Sequence, residues 1–125
     1  MTNKSVHGTL QHVPISKVVN ANGMLYLSGE ASIDWSTRKT VTGDIRTQTR
    51  KTLENLRHTL ESVGSSLDKV VKVNVFLTDA ANDFRAMNEV YSEFFPATPP
   101  ARSTVGVAAL VRPDLIVEIE AIALP

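Results

Sequence analysis

The chain has 125 residues, with 13 basic and 13 acidic side chains, three histidines and no cysteine. That length suits one domain with a real core, so residues 1–125 are expected to fold as a single unit. Balanced charge gives no net field to attract nucleic acid or an anionic membrane, and the missing thiol excludes disulfides, thiolate catalysis and cysteine-ligated metals.

In chain order, Met1 to Thr9 carries neither the apolar stretch of a signal peptide nor the arginine-rich pattern of a transit peptide. No apolar run approaches the roughly 20 residues that span a bilayer. A soluble cytoplasmic protein is expected, with His7 and His12 in a polar leader that forms no ligand set. Lys17-Val18-Val19 and Met24-Leu25-Tyr26-Leu27 flank Asn20-Ala21-Asn22-Gly23, and Asn-Gly between apolar runs predicts an antiparallel hairpin. Ser28-Gly29 is expected to end the second strand, its glycine serving either a bulge or a close approach to another group.

Residues 30–43 predict a loop with a short strand around Lys39 to Thr42, in which Trp35 packs rather than reacts. Asp44 is placed as an N-cap, and Ile45, Thr49, Leu53, Leu56, Leu60 and Val63 recur at helical spacing until Gly64 closes the helix. Its outer face carries Arg46, Arg50, Lys51, Arg57 and His58. A solvated face accounts for them better than an RNA-binding stripe, because no aromatic side chain is interleaved for base stacking.

Lys69 to Asp79 predicts a strand with Val71, Val73, Val75 and Leu77 on one side. A second helix is expected from about Asn82 to Phe95, burying Phe84, Met87, Tyr91, Phe94 and Phe95 and stopping at Pro96. Asn88 falls within that apolar stripe and needs a partner, either a structural hydrogen bond to a neighbouring backbone or a ligand. Two more strands follow, one in Pro99 to Val107 with Arg102 near its start, the other in Ile116 to Ala123. Alternation on the last strand sets Val117, Ile119, Ala121 and Ala123 against Glu118, Glu120, Ile122 and Leu124. Two glutamates beside two aliphatic side chains make a mixed face that something is expected to cover.

These elements predict an α+β layer pair with both helices on one side of the sheet. The uncovered side would carry Tyr26, Asn74, Phe76, Glu118, Ile122 and Leu124, for which self-association is the natural remedy. Local chemistry leaves Arg102 open between a surface ion pair and a carboxylate holder, and Glu118 between a solvent-facing residue and one that activates water.

The runs PARSTVGVAAL and VEIEAIA resemble the signature of the YjgF/Rid proteins, the reactive intermediate deaminases, and LYLSGE, GDIRTQTRKTLENL, VVKVNVFLTD and DFRAMNEVYSEFF extend the similarity over nearly the whole chain. The resemblance implies a chorismate mutase-like fold assembled as a homotrimeric barrel, with sites in the clefts between subunits. It implies hydrolysis of enamines and imines such as 2-aminoacrylate and 2-iminobutanoate to 2-keto acids and ammonia, without metal or organic cofactor. In that role Arg102 holds the substrate carboxylate and Glu118 positions water, while backbone groups at Gly29 and Thr104 orient the imine and Asn88 supports the pocket. Glu120 is the lesser candidate for the acid.

Two positions depart from the family pattern. Thr104 stands where relatives commonly have cysteine, and Ile15 where they usually place a tyrosine, which implies a more apolar rim and either slower hydrolysis of 2-aminoacrylate or a preference for bulkier imines. Two competing classes are a ribonuclease or translation inhibitor, disfavoured by neutral charge and the lack of paired histidines, and a non-catalytic module binding a metabolite or partner protein.

Overall fold

The computed structural model describes residues 3–125. A six-stranded mixed sheet is built from β1 (Lys4–Thr9), β2 (Ser16–Ala21), β3 (Met24–Ala31), β6 (Val70–Leu77), β7 (Ala101–Gly106) and β8 (Val117–Ala123). Its order is β1-β2-β3-β8-β6-β7, with β6 and β7 parallel and the other pairs antiparallel. A small ribbon of β4 (Ile33–Asp34) and β5 (Lys39–Thr40) follows β3.

The hairpin between β2 and β3 turns at Asn22 and Gly23, with φ of 53° and 74°. Positive φ at both central residues gives the turn a twist that matches the flanking strands, and an asparagine followed by a glycine adopts it with little strain. The strand does not end at Ser28-Gly29: it passes through a bulge there and continues to Ala31, pairing Glu30 with Ile119 and Ala31 with Glu118. The polar leader expected around His7 is likewise structured over Lys4–Thr9, which forms the edge strand β1, while Met1 and Thr2 lie outside the described residues.

Helix α1 (Ile45–Ser62) starts where Asp44 accepts a hydrogen bond from Thr47 N and is closed by Gly64 at φ 81°. Leu53, Leu56 and Leu60 are completely buried against the sheet. Helix α2 (Ala80–Phe94) begins two residues before the expected Asn82, capped by Asp79, and buries Met87, Val90 and Tyr91, with Phe95 buried just beyond its end. Phe84 departs from expectation. It is 45 % exposed and lies on the β7 side of the helix, its ring centre 5.8 Å from the Arg102 Cζ, rather than in the core.

Both helices cover the sheet side that carries Val18, Leu25, Leu27, Val73, Val75, Leu77, Val117, Ile119, Ala121 and Ala123. Val71 is not among them at 38 % exposure, because an irregularity between Val70 and Lys72 turns Val70 inward in its place. The opposite side carries Tyr26 paired with Ile122, Phe76 with Glu118 and Asn74 with Glu120, and no helix or strand among the described residues covers it.

The arginines of α1 nearest α2 are engaged. Arg46 pairs with Glu89, and Arg50 with Glu93 at 3.0 Å. Charge on that surface is thereby compensated between the two helices.

Candidate active site

The parallel register sets Arg102 beside Val73 and Thr104 beside Val75, and both of those valines face the helices. Arg102 therefore projects to the helix side. There its Nη2 donates to Asn88 Oδ1 at 2.7 Å, and its Cζ lies 4.6 Å from the centre of the Tyr91 ring and 5.8 Å from that of Phe84. The partner of Asn88 is thus neither a neighbouring backbone group nor a ligand but the arginine side chain. Among the described residues no carboxylate comes within ion-pair distance of Arg102. The Thr104 hydroxyl is buried and unpartnered.

Glu118 projects to the open side. The β3 bulge brings Gly29 against it so closely that a Cβ at position 29 would overlap Oε2 and lie 2.9 Å from Cδ. Gly29 thus combines both roles open to it, a bulge and a close approach. Burial, then the neighbouring charges of Glu120 and Glu30, holds the Glu118 carboxyl above the usual carboxylate range. Asn74 Nδ2 donates to Glu120 Oε2 at 3.1 Å, whereas no side chain among the described residues donates to Glu118. Of the two, Glu118 is the carboxylate left for a ligand or water.

A hollow of about 730 Å³ opens over Glu118 and Gly29, with Ile15, Trp35 and Leu115 among its walls. Ile15 stands at its rim, 44 % exposed. Trp35 packs, as expected, with the Lys17 ammonium 3.7 Å above its ring. That lysine donates to Glu30, which is buried and also accepts from the Thr59 hydroxyl at 2.7 Å, so the cation beside the hollow is already compensated. No group of three or more metal-ligating side chains is placed to hold an ion among the described residues.

The six sequence candidates thus fall into two sets. Ile15, Gly29 and Glu118 line the open-side hollow, while Asn88, Arg102 and Thr104 gather under the helices at the β7 edge. Arg102 and Glu118 are separated by two strand spacings and three residues of rise, roughly 14 Å between Cα atoms, and point to opposite sides of the sheet. They do not meet within one protomer. Two neighbouring features carry no functional signal in the sequence: Tyr91 lies on the apolar stripe of its helix, and the members of the Lys17–Glu30–Thr59 cluster lie on three separate elements.

The sequence model of the family described as Endoribonuclease L-PSP matches residues 9–125. The chain belongs to this family, that of the YjgF/Rid proteins. Similar Rid-family sequences include a RutC family protein of Pyrococcus horikoshii, 47 % identical over 88 % of this chain and 86 % of its own. A 2-iminobutanoate/2-iminopropanoate deaminase of Dermatophagoides farinae is 42 % identical over 87 % of this chain and 84 % of its own. The crystal structure of YyfA, a Rid-family protein of Yersinia pestis, superposes with a TM-score of 0.88 at 38 % identity, covering 98 % of this chain and 99 % of that one. The fold is therefore the YjgF-like mixed sheet with two helices. The Rid relative mmf2 of Schizosaccharomyces pombe is named as mitochondrial, so a cytoplasmic location does not follow from membership. No described helix of this Rid chain is long and apolar enough to cross a membrane.

Proposed function

We propose that the protein hydrolyses 2-enamino and 2-imino acids to 2-keto acids and ammonia at a site shared between copies of the chain. The observation that carries this reading is the division of labour just described. An uncompensated guanidinium waits on one edge of the protomer, and an unbonded, partly desolvated carboxylate waits in a hollow on the other side. A homotrimer in which the β7 edge of one subunit closes the open-side hollow of the next would join them, and would also cover the exposed Tyr26, Val105 and Leu124. The deaminase named among the relatives supports the reaction class.

In that cleft Arg102 holds the substrate carboxylate through two parallel N–H donors. An enamine such as 2-aminoacrylate first takes a proton at its terminal carbon and becomes an iminium. Glu118 then accepts a proton from water as its oxygen bonds to the imine carbon, giving a carbinolamine. The same proton returns to nitrogen, the C–N bond breaks and ammonia leaves while the hydroxyl gives its remaining proton to Glu118, so the oxygen remains as the ketone and Glu118 passes to solvent the equivalent of the proton the enamine took up. A carboxylate with a raised pKa suits this exchange because it can both take and return the proton. Ile15 and Leu10 at the apolar rim favour imines with branched or aromatic side chains.

The test is to generate 2-aminoacrylate, 2-iminobutanoate and a branched imine in situ and to follow keto-acid release. Arg102→Ala and Glu118→Ala should each lower kcat/KM by roughly 100-fold or more, with the branched imine handled at least as well as the small ones. Equal release from wild type and both variants would leave only a binding role.

A further inference from the structure

The Arg102 guanidinium is held by two neighbours, and both are neutral. Asn88 accepts from one nitrogen, and Tyr91 lies beneath the fork with its ring centre 4.6 Å from Cζ. Tyr91 is only 6 % exposed, yet its hydroxyl is buried with no hydrogen-bond partner among the described residues. Such a group is costly relative to a bonded one, and a phenylalanine would fill the same space without it. Burial pushes the phenol pKa up, with Arg102 pulling the other way, so the hydroxyl stays neutral at ordinary pH. A phenolic oxygen is an acceptor, and the adjacent guanidinium is rich in N–H groups: only one of its nitrogens makes a side-chain hydrogen bond.

The neutrality of this cradle has a chemical consequence. A carboxylate in place of either neighbour would also hold the fork, but it would compensate the charge that an anionic ligand needs. A ring face and neutral acceptors fix the plane of the guanidinium while leaving its positive charge free.

We propose that Tyr91 is a positioning residue for Arg102: its ring sets the plane of the guanidinium, and its hydroxyl accepts one N–H as the fork engages a ligand carboxylate, so that the remaining donors meet the anion in one orientation. This inference rests on the reading of Arg102 as the carboxylate holder. It predicts that Tyr91 acts on the affinity for the anion and leaves the proton transfers at Glu118 alone.

The deciding variant is Tyr91→Phe, which keeps the ring and removes only the orphaned hydroxyl. Steady-state rates with 2-iminobutanoate generated in situ, calorimetric binding of the product 2-oxobutanoate, and the ¹⁵N NMR signals that report rotation of the Arg102 guanidinium should be measured on wild type, Tyr91→Phe and Arg102→Ala. Tyr91→Phe should leave the thermal midpoint unchanged or higher, raise KM and the product Kd about 3- to 10-fold, change kcat less than about twofold, and speed guanidinium rotation in the product complex. A folded Tyr91→Phe with wild-type KM, Kd and rotation, beside an Arg102→Ala variant with weakened binding, overturns the role of Tyr91 alone. If Arg102→Ala also binds and turns over like wild type, the carboxylate-site reading itself fails. A fall in kcat with KM unchanged contradicts the positioning role as well.

Discussion

Glu118 and Glu120 sit two residues apart on one strand face, and their immediate neighbours set them different tasks. Asn74 ties Glu120 down, while Glu118 is pressed by burial and by two nearby carboxylates and is left without a donor. Because its pKa is raised in the folded state, the stability it contributes is present at acid pH and lost as pH rises through the native pKa. Above that pKa its charge therefore opposes folding. Glu118→Gln should raise the thermal midpoint at pH 7 while reducing kcat by roughly 100-fold or more, as calorimetry and keto-acid release would show together. In the wild type, kcat should fall as pH drops through a pKa above the ordinary carboxylate value of 4.5. Gly29→Ala offers a second test at this scale. Its methyl would collide with the Glu118 carboxylate, so kcat should fall by an order of magnitude or more while circular dichroism shows the fold retained.

Elements are joined by buried polar contacts as well as by the apolar core. Lys17 of β2, Glu30 of β3 and Thr59 of α1 meet in one hydrogen-bonded cluster, and Glu30 is 1 % exposed. Removing the lysine leaves a buried charge uncompensated, so Lys17→Met should cost on the order of 3 kcal/mol in urea unfolding, and adding Glu30→Gln should recover much of it. Gln48 likewise bonds Asp114 O and Ile116 N, fixing the entry into β8 on which Glu118 rides. The helices themselves were legible because Asp44, Gly64 and the leucine spacing agree with one another. The bulges at Ser28-Gly29 and Val70-Val71 were not, since an inserted residue reverses the face of every position beyond it and leaves no mark in a two-residue pattern. Strand β1 was hidden for a related reason: Lys-Ser-Val-His-Gly-Thr has no apolar alternation, and all six residues are exposed on the sheet edge.

For the whole molecule, the candidate residues are legible in the sequence and their placement is not. Arg102 lies among small and polar neighbours in β7, so only the register with β6 decides which side of the sheet it takes. That register puts it on the side opposite Glu118, and the two meet only if a second copy supplies one of them. Equal amounts of Arg102→Ala and Glu118→Ala chains, unfolded together and refolded, test this directly. Each variant alone should be nearly inactive, whereas the mixture should recover about a quarter of wild-type keto-acid release, the share of shared clefts that receive an intact arginine from one chain and an intact glutamate from the other. A mixture shown by native mass spectrometry to contain both variants in one assembly, yet no more active than either alone, would contradict the account.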